Sequence, residues 1–276
     1  MKIITDTSSL LSPAMGAELG LTVVPVGVAI DGKTFQDYTE ITGEEFLDRV
    51  AAGGVPSSSQ PAIGDMLDAM ESSDEETLVL TVGDGLSGAY QTAMSARNLL
   101  EDSQRVHVLN SKTLAGALQH LVKKAVALKN AGLDICQIKE QLCRGIESSR
   151  SFVIPEDFEF LRRSGRLTPL AARIGSSLKL LPVLTQTGDK TRITPVGVRR
   201  RWNSALEMVF QRLEQIEGGA GYKLFVCHGG APQRAAEVLE LVRQRFPAAE
   251  TEALALSPAL MTHGGPGCIV IQAITI

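Results

Sequence analysis

The stretch Thr77-Leu78-Val79-Leu80-Thr81-Val82-Gly83-Asp84-Gly85-Leu86-Ser87-Gly88-Ala89-Tyr90-Gln91 decides the fold class. Thr77–Val82 is an apolar run of strand length, and Ala89 opens a segment to Leu100 in which apolar residues recur at helical spacing. Strand, glycine turn and helix form the repeating unit of a mostly parallel sheet covered on both faces. Outward from there, Lys2–Thr5, Leu21–Ile30 and Arg105–Leu109 read as further strands, and Gly43–Ala52, Pro61–Met70 and Lys112–Ala131 as helices. The chain is therefore α/β.

The second half winds less regularly. Strands are expected at Ser151–Ile154, Leu181–Gln186, Arg192–Val198, Tyr222–Cys227, Glu250–Leu256 and Cys268–Ile276, with helices near Pro169–Leu178, Asn203–Ile216 and Ala231–Phe246. Leu181 to Val198 reads as a hairpin around Thr187-Gly188-Asp189-Lys190. A hairpin within such a series predicts a second domain of α+β character. The boundary is placed at residue 152, giving domains 1–152 and 153–276.

Composition narrows the function classes. The 276 residues are 44% hydrophobic and 21% charged, the balance of a folded chain with a large core. Asp and Glu outnumber Lys and Arg by 31 to 27, a field that does not gather a polyanion, so nucleic acid is not an expected ligand. The start at Met1–Asp6 lacks the pattern of a secretory signal, which predicts a cytoplasmic protein. The apolar runs Leu21–Ile30 and Cys268–Ile276 are too short to cross a bilayer, which takes about 20 residues as helix. Cys136, Cys143, Cys227 and Cys268 form no C-x-x-C pair and read as small buried hydrophobes. His107, His120, His228 and His263 are scattered, so neither zinc nor another cofactor is expected.

Polar loops at strand ends carry the candidate chemistry. Gly83-Asp84-Gly85-Leu86-Ser87-Gly88 matches G-x-G-x-x-G between a strand and a helix, where bare backbone N–H groups face an anion. A dinucleotide would need an acidic side chain about 20 residues on, and Asn110 stands at that place. A tight turn in which Ser87 only caps the helix fits the same residues equally well. Gly85-Leu86-Ser87-Gly88-Ala89 also comes one residue short of a nucleophile elbow, which keeps a serine hydrolase acting on an acyl ester, with a late His263, as the enzymatic alternative. Pro56-Ser57-Ser58-Ser59-Gln60-Pro61 clusters three hydroxyls at the expected start of a helix, where a cap with two solvated serines is the simpler reading. Thr262-His263-Gly264-Gly265-Pro266-Gly267 sets a histidine in a bare loop beside the last strand. Arg162-Arg163-Ser164-Gly165-Arg166 and Arg199-Arg200-Arg201 are basic clusters suited to an acidic ligand or partner, although such runs are commonly solvated faces.

In this order the loops resemble the DegV family, whose members bind fatty acids. Asp6-Thr7-Ser8-Ser9-Leu10 resembles its opening D-[ST]-[ST] motif, and Ser58-Ser59-Gln60-Pro61 its T-S-Q-P segment. Leu86-Ser87-Gly88-Ala89-Tyr90-Gln91 resembles L-S-G-T-Y-Q, Phe160-Leu161-Arg162-Arg163-Ser164-Gly165-Arg166 resembles Y-L-x-x-G-G-R-I, and Thr262–Gly267 resembles T-H-x-G-P-G. The resemblance implies a two-domain DegV-like fold, an EDD-type parallel-sheet domain followed by an α+β domain. It further implies a lipid-binding protein, not an enzyme, which encloses one long-chain fatty acid between its domains and presents the carboxylate to the catalytic subunit of a bacterial fatty-acid kinase. Carried over, Ser58, Ser87 and His263 hold the carboxylate, and Arg199, Arg166 and Gly88 lie near the site or face the partner. Gly83-Asp84 stands where the family carries two serines, which puts a second carboxylate beside the head group unless Asp84 is protonated or points away.

Overall fold

The strands β1 (Lys2–Asp6) and β6 (Thr77–Thr81) are apolar along most of their length and buried on both faces, as strands of a covered parallel sheet must be. The structure is a computed structural model and describes residues 1–174, 180–216 and 221–276. The chain divides into two compact units, Met1–Glu147 with Ser257–Ala259, and Ser148–Leu256 with Leu260–Ile276.

In the first unit β2 (Thr22–Val24), β1, β6 and β7 (Val106–Asn110) form a parallel sheet in the order β2-β1-β6-β7. The chain runs from β1 to β2 on one side and later to β6 and β7 on the other. The order therefore reverses between β1 and β6, where open α/β sheets leave a crevice at the carboxyl ends of their strands. Pro25 ends β2, so the single strand expected over Leu21–Ile30 is two: β3 (Gly27–Ile30) leaves the parallel sheet. It pairs with β4 (Lys33–Gln36) and with β5 (Ser57–Ser59) in a small antiparallel sheet ordered β4-β3-β5.

Helices α1 (Pro13–Glu18) and α2 (Gly43–Ala51) begin at hydroxyl caps. Ser12 Oγ accepts from Met15 N, and Thr42 Oγ1 from Glu45 N. Helices α3 (Ile63–Glu71) and α4 (Ala89–Leu99) bury Met66, Met70, Ala93 and Ala96 against Ile4 and Val79. Helix α5 (Ala115–Asn130) is buried along much of its length, and α6 (Ile135–Ser148) buries the stripe Ile135, Ile138, Leu142 and Ile146. Cys136 and Cys143 lie off that stripe and are exposed, so only Cys227 and Cys268 are the buried hydrophobes that the sequence suggests. The helix expected from Pro61 starts at Ile63, because β5 takes up the residues before it.

The second unit is built on six strands: β8 (Arg150–Ile154), β9 (Leu181–Gln186), β10 (Ile193–Arg199), β11 (Tyr222–His228), β12 (Glu250–Ala255) and β13 (Ile269–Thr275), in the order β10-β9-β8-β13-β11-β12. Only β11 and β12 run parallel, and β9 and β10 form the expected hairpin. The break between units precedes β8, since its partners β9 and β13 both belong to the second unit; residue 152 lies inside that strand. Helices α9 (Trp202–Glu214) and α10 (Pro232–Arg245) cover one core, where Val209, Phe210, Val238 and Val242 pack with Val226 and Ile271. Short helices α7 (Phe158–Arg163) and α8 (Pro169–Ala172) precede β9, and α11 (Pro258–Gly264) precedes β13. The part of the expected helix Pro169–Leu178 beyond residue 174 lies outside the described residues. No helix among the described residues is long and apolar enough to cross a membrane.

Candidate functional site

The crevice end of the first sheet is braced by one aspartate. Asp6, last residue of β1, accepts from Ser8 N at 2.9 Å through Oδ1 and from Val82 N at 3.0 Å through Oδ2. One carboxylate thus ties together the loops after β1 and β6. Burial pushes its carboxyl above the usual range, and the Val82 and Ser8 donors oppose the rise. Ser9 Oγ donates to Asp6 O at 2.8 Å, and Thr7 Oγ1 accepts from Val26 N at 3.2 Å. The Asp6–Ser9 segment is fully enclosed and is a scaffold for the site. A second buried carboxylate, Asp37, takes the Ala259 amide at 3.3 Å. Burial pushes it up to about 6, against the Thr7 and Ser257 hydroxyls and the Ala259 amide, with a smaller upward push from Asp6. Nothing in the sequence around Asp37 marks it, because its role depends on residues more than 200 positions away.

After β6 the chain turns tightly, with Leu86 N and Ser87 N both donating to Gly83 O at 3.2 and 3.3 Å and Gly85 at φ 85°. Gly83 lies against the backbone of Lys112, where an added Cβ would come within 3.1 Å, so a side chain there meets backbone. Asn110, at the end of β7, accepts from Asp84 N at 3.1 Å and from Lys112 N at 2.9 Å. The position that a dinucleotide would need as an acid therefore holds an amide that clamps two loops. Ser87, half-buried, accepts from Ala89 N at 3.3 Å. Asp84 is turned toward the first turn of α4, where its Oδ2 accepts from Gln91 Nε2 at 3.1 Å.

The serine segment is a strand and not the expected helix cap. In β5, Ser58 pairs with Val28 and is half-buried, whereas Ser57 and Ser59 alternate to the exposed side. Gln60 then lays its carboxamide against Gly88, where an added Cβ would come within 3.1 Å. Gly88 thereby admits the Ser58–Gln60 segment to the start of α4, next to Ser87. The structure thus brings two of the sequence-derived site segments together within the first unit, and Gln60 is the contact that the sequence did not identify.

In the second unit His263 lies in α11, not in a loop. Dense packing, with Arg166 as a lesser cause, pushes its imidazolium down to about 3, so the ring is neutral at pH 7. Arg166 is half-buried, which lowers its own pKa, and its guanidinium donates to Ser164 O. Arg162 pairs with Glu159 at 2.6 Å and Arg163 stacks over Phe160 at 4.9 Å, so these two cations serve their own helix. Arg199 is exposed; its Nη1 donates to Val198 O at 2.9 Å. It lines an open depression of about 400 Å³ with Val196, Met208, Gln211, Arg212 and Gln215.

A parallel sheet with hydroxyl-bearing loops at its reversal point in one unit, and a mixed sheet in the other, define a two-unit α/β protein. The model of the uncharacterised DegV family matches residues 1–275, and the chain belongs to that family. A DegV domain-containing protein of Clostridium acetobutylicum is 26% identical over 98% of this chain and 96% of its own. The solved DegV family protein of Thermus thermophilus, described as fatty acid binding, is 26% identical with a TM-score of 0.88, covering 100% of this chain and 99% of that one. A DegV family protein of Eubacterium eligens loaded with heptadecanoic acid shares the fold at TM-score 0.87 and 21% identity, each chain covered in full.

Proposed function

We propose that this protein binds one long-chain fatty acid, whose carboxylate accepts hydrogen bonds from Ser58 and Ser87, and that it presents this carboxylate to a fatty-acid kinase. The observation that carries the reading is the meeting of the Ser58–Gln60 and Ser87–Gly88 segments at the start of α4, beside the reversal point of the sheet. Support comes from the relative of Thermus thermophilus, described as fatty acid binding and matched along its length. Burial of the tail supplies most of the affinity, about 0.8 kcal/mol for each CH₂. Neutral hydroxyls add about 1.5–3 kcal/mol each to a charged acceptor, enough to position an anion without trapping it. Ser87 Oγ takes a backbone N–H, and among the described residues no hydrogen bond joins it to a histidine, which favours binding over an acyl hydrolase.

In the transfer step the two remaining groups act differently. Arg199, exposed beside an open depression with Arg212, offers a cation to charge that builds up as a phosphoryl group arrives. His263, neutral at pH 7, offers a hydrogen bond and no charge. Arg166 and Gly88 support the site and the partner-facing surface. In a reconstituted assay with a fatty-acid kinase catalytic subunit and saturating acyl-loaded protein, Arg199→Ala and His263→Ala are expected to retain lipid and to lose on the order of 100-fold in acyl-phosphate formation. Turnover equal to wild type in both variants would remove the transfer role, and loss of lipid would move the residue into the head-group site.

A further inference from the structure

Asp37, just after β4, is fully enclosed. Its backbone N–H donates to Val26 O at 3.0 Å, and Tyr38 beyond it sits at φ 64°, a left-handed conformation that a non-glycine residue holds only under constraint. The side chain ties down a remote segment, since Oδ1 accepts from Ala259 N at 3.3 Å, 222 residues away. Ser257–Ala259 belongs to the first unit, whereas the chain just before it, to Leu256, and just after it, from Leu260, belongs to the second. Asp37 therefore fastens a short excursion of the second unit's chain.

The fastening is made with a group ill-suited to staying charged. Oδ2 is buried without a hydrogen-bond partner, and the charged group that acts on the carboxyl is another carboxylate, Asp6, at the end of β1. The loop after β1 offers the Thr7 hydroxyl, and the remote segment offers the Ser257 hydroxyl and the Ala259 amide. On the loop of Asp37 itself, Glu40 is exposed and accepts from Gln36 N at 2.8 Å. Burial outweighs the three donors and holds the Asp37 carboxyl at about 6. A proton there removes the buried charge, and the two hydroxyls can accept as well as donate.

We propose that Asp37 is a proton-operated latch, which holds the Ser257–Ala259 segment firmly when its carboxyl is protonated and more loosely when it is ionised. When the segment opens, the carboxyl meets water and returns to its ordinary value of 3.8. The closed form therefore takes up a proton more readily than the open one, so opening grows as pH rises from about 4 to about 6 and levels off above that. His263 follows in the same helix α11, and the latch acts on the start of the element that carries it. The inference does not depend on lipid binding.

The test is native-state amide hydrogen exchange on delipidated protein between pH 5 and pH 7.5, corrected for the intrinsic exchange rate at each pH. Protection of the Ala259 amide is expected to fall about tenfold over that range, while amides of β13 change less than about twofold. In Asp37→Asn, which keeps an oxygen for the Ala259 amide and cannot ionise, protection should be flat. Carboxyl-carbon NMR of Asp37 in the wild type needs no variant, and its midpoint is expected at about 6. A midpoint below about 4.5 overturns the inference. So does an equal fall in protection in wild type and Asp37→Asn, or Ala259 protection in the wild type that does not change with pH.

Discussion

A Ser58→Ala, Ser87→Ala double variant is expected to bind a long-chain fatty acid on the order of 1,000-fold more weakly than wild type. In the proposed complex each hydroxyl would donate one hydrogen bond to a charged acceptor, worth about 1.5–3 kcal/mol, and about 1.4 kcal/mol corresponds to tenfold in affinity. Each single change should therefore cost about 10- to 100-fold. The pair falls short of the full product because the two donors share one acceptor group. Ser58 is held by the pairing of β5 with Val28 of β3 and Ser87 by the turn closed on Gly83 O; Ser87→Ala gives up the Ala89 N–H bond at 3.3 Å and leaves that turn in place, so the fold should persist. Competition with a long-chain alcohol separates head from tail, because the alcohol should lose far less. A double variant within tenfold of wild type for the acid would show that these hydroxyls do not hold the head group.

Asp6→Ala is expected to destabilise the first unit by about 3 kcal/mol. The change strands the amides of Ser8 and Val82 in a buried position, and each unsatisfied donor costs about 1–3 kcal/mol. Part of this is offset because the charged carboxylate no longer has to be kept out of water, the same cost that raises its pKa. Amide hydrogen exchange of β1 and β6 is the suitable probe, since the single tryptophan, Trp202, reports on the second unit. Exchange protection in β6 within about 0.5 kcal/mol of wild type would show that Asp6 is not the brace of the crevice.

The parts of the fold legible in sequence were those set by local period. The β6 run, the helix after it and the hairpin at Thr187–Lys190 all announce themselves through residues in contact with their own neighbours. Leu21–Ile30 misled because its apolar character is continuous while Pro25 divides it between two sheets. Ser57–Ser59 is polar and gives no strand signal of its own; its pairing with β3 makes it one. At the site, Ser58, Ser87 and Gly88 stood out as motif residues, but Asn110, Gln60 and Asp37 act through partners distant in sequence. His263 was legible as a residue and not as a charge state, since its neutrality comes from packing around α11.

The most direct test of fatty-acid binding is the lipid content of the protein itself. Denaturation of the purified chain, organic extraction and mass spectrometry should return close to one equivalent of a long-chain fatty acid, and delipidated protein should take one up again. A lipid-free extract together with no uptake of added fatty acids would contradict it.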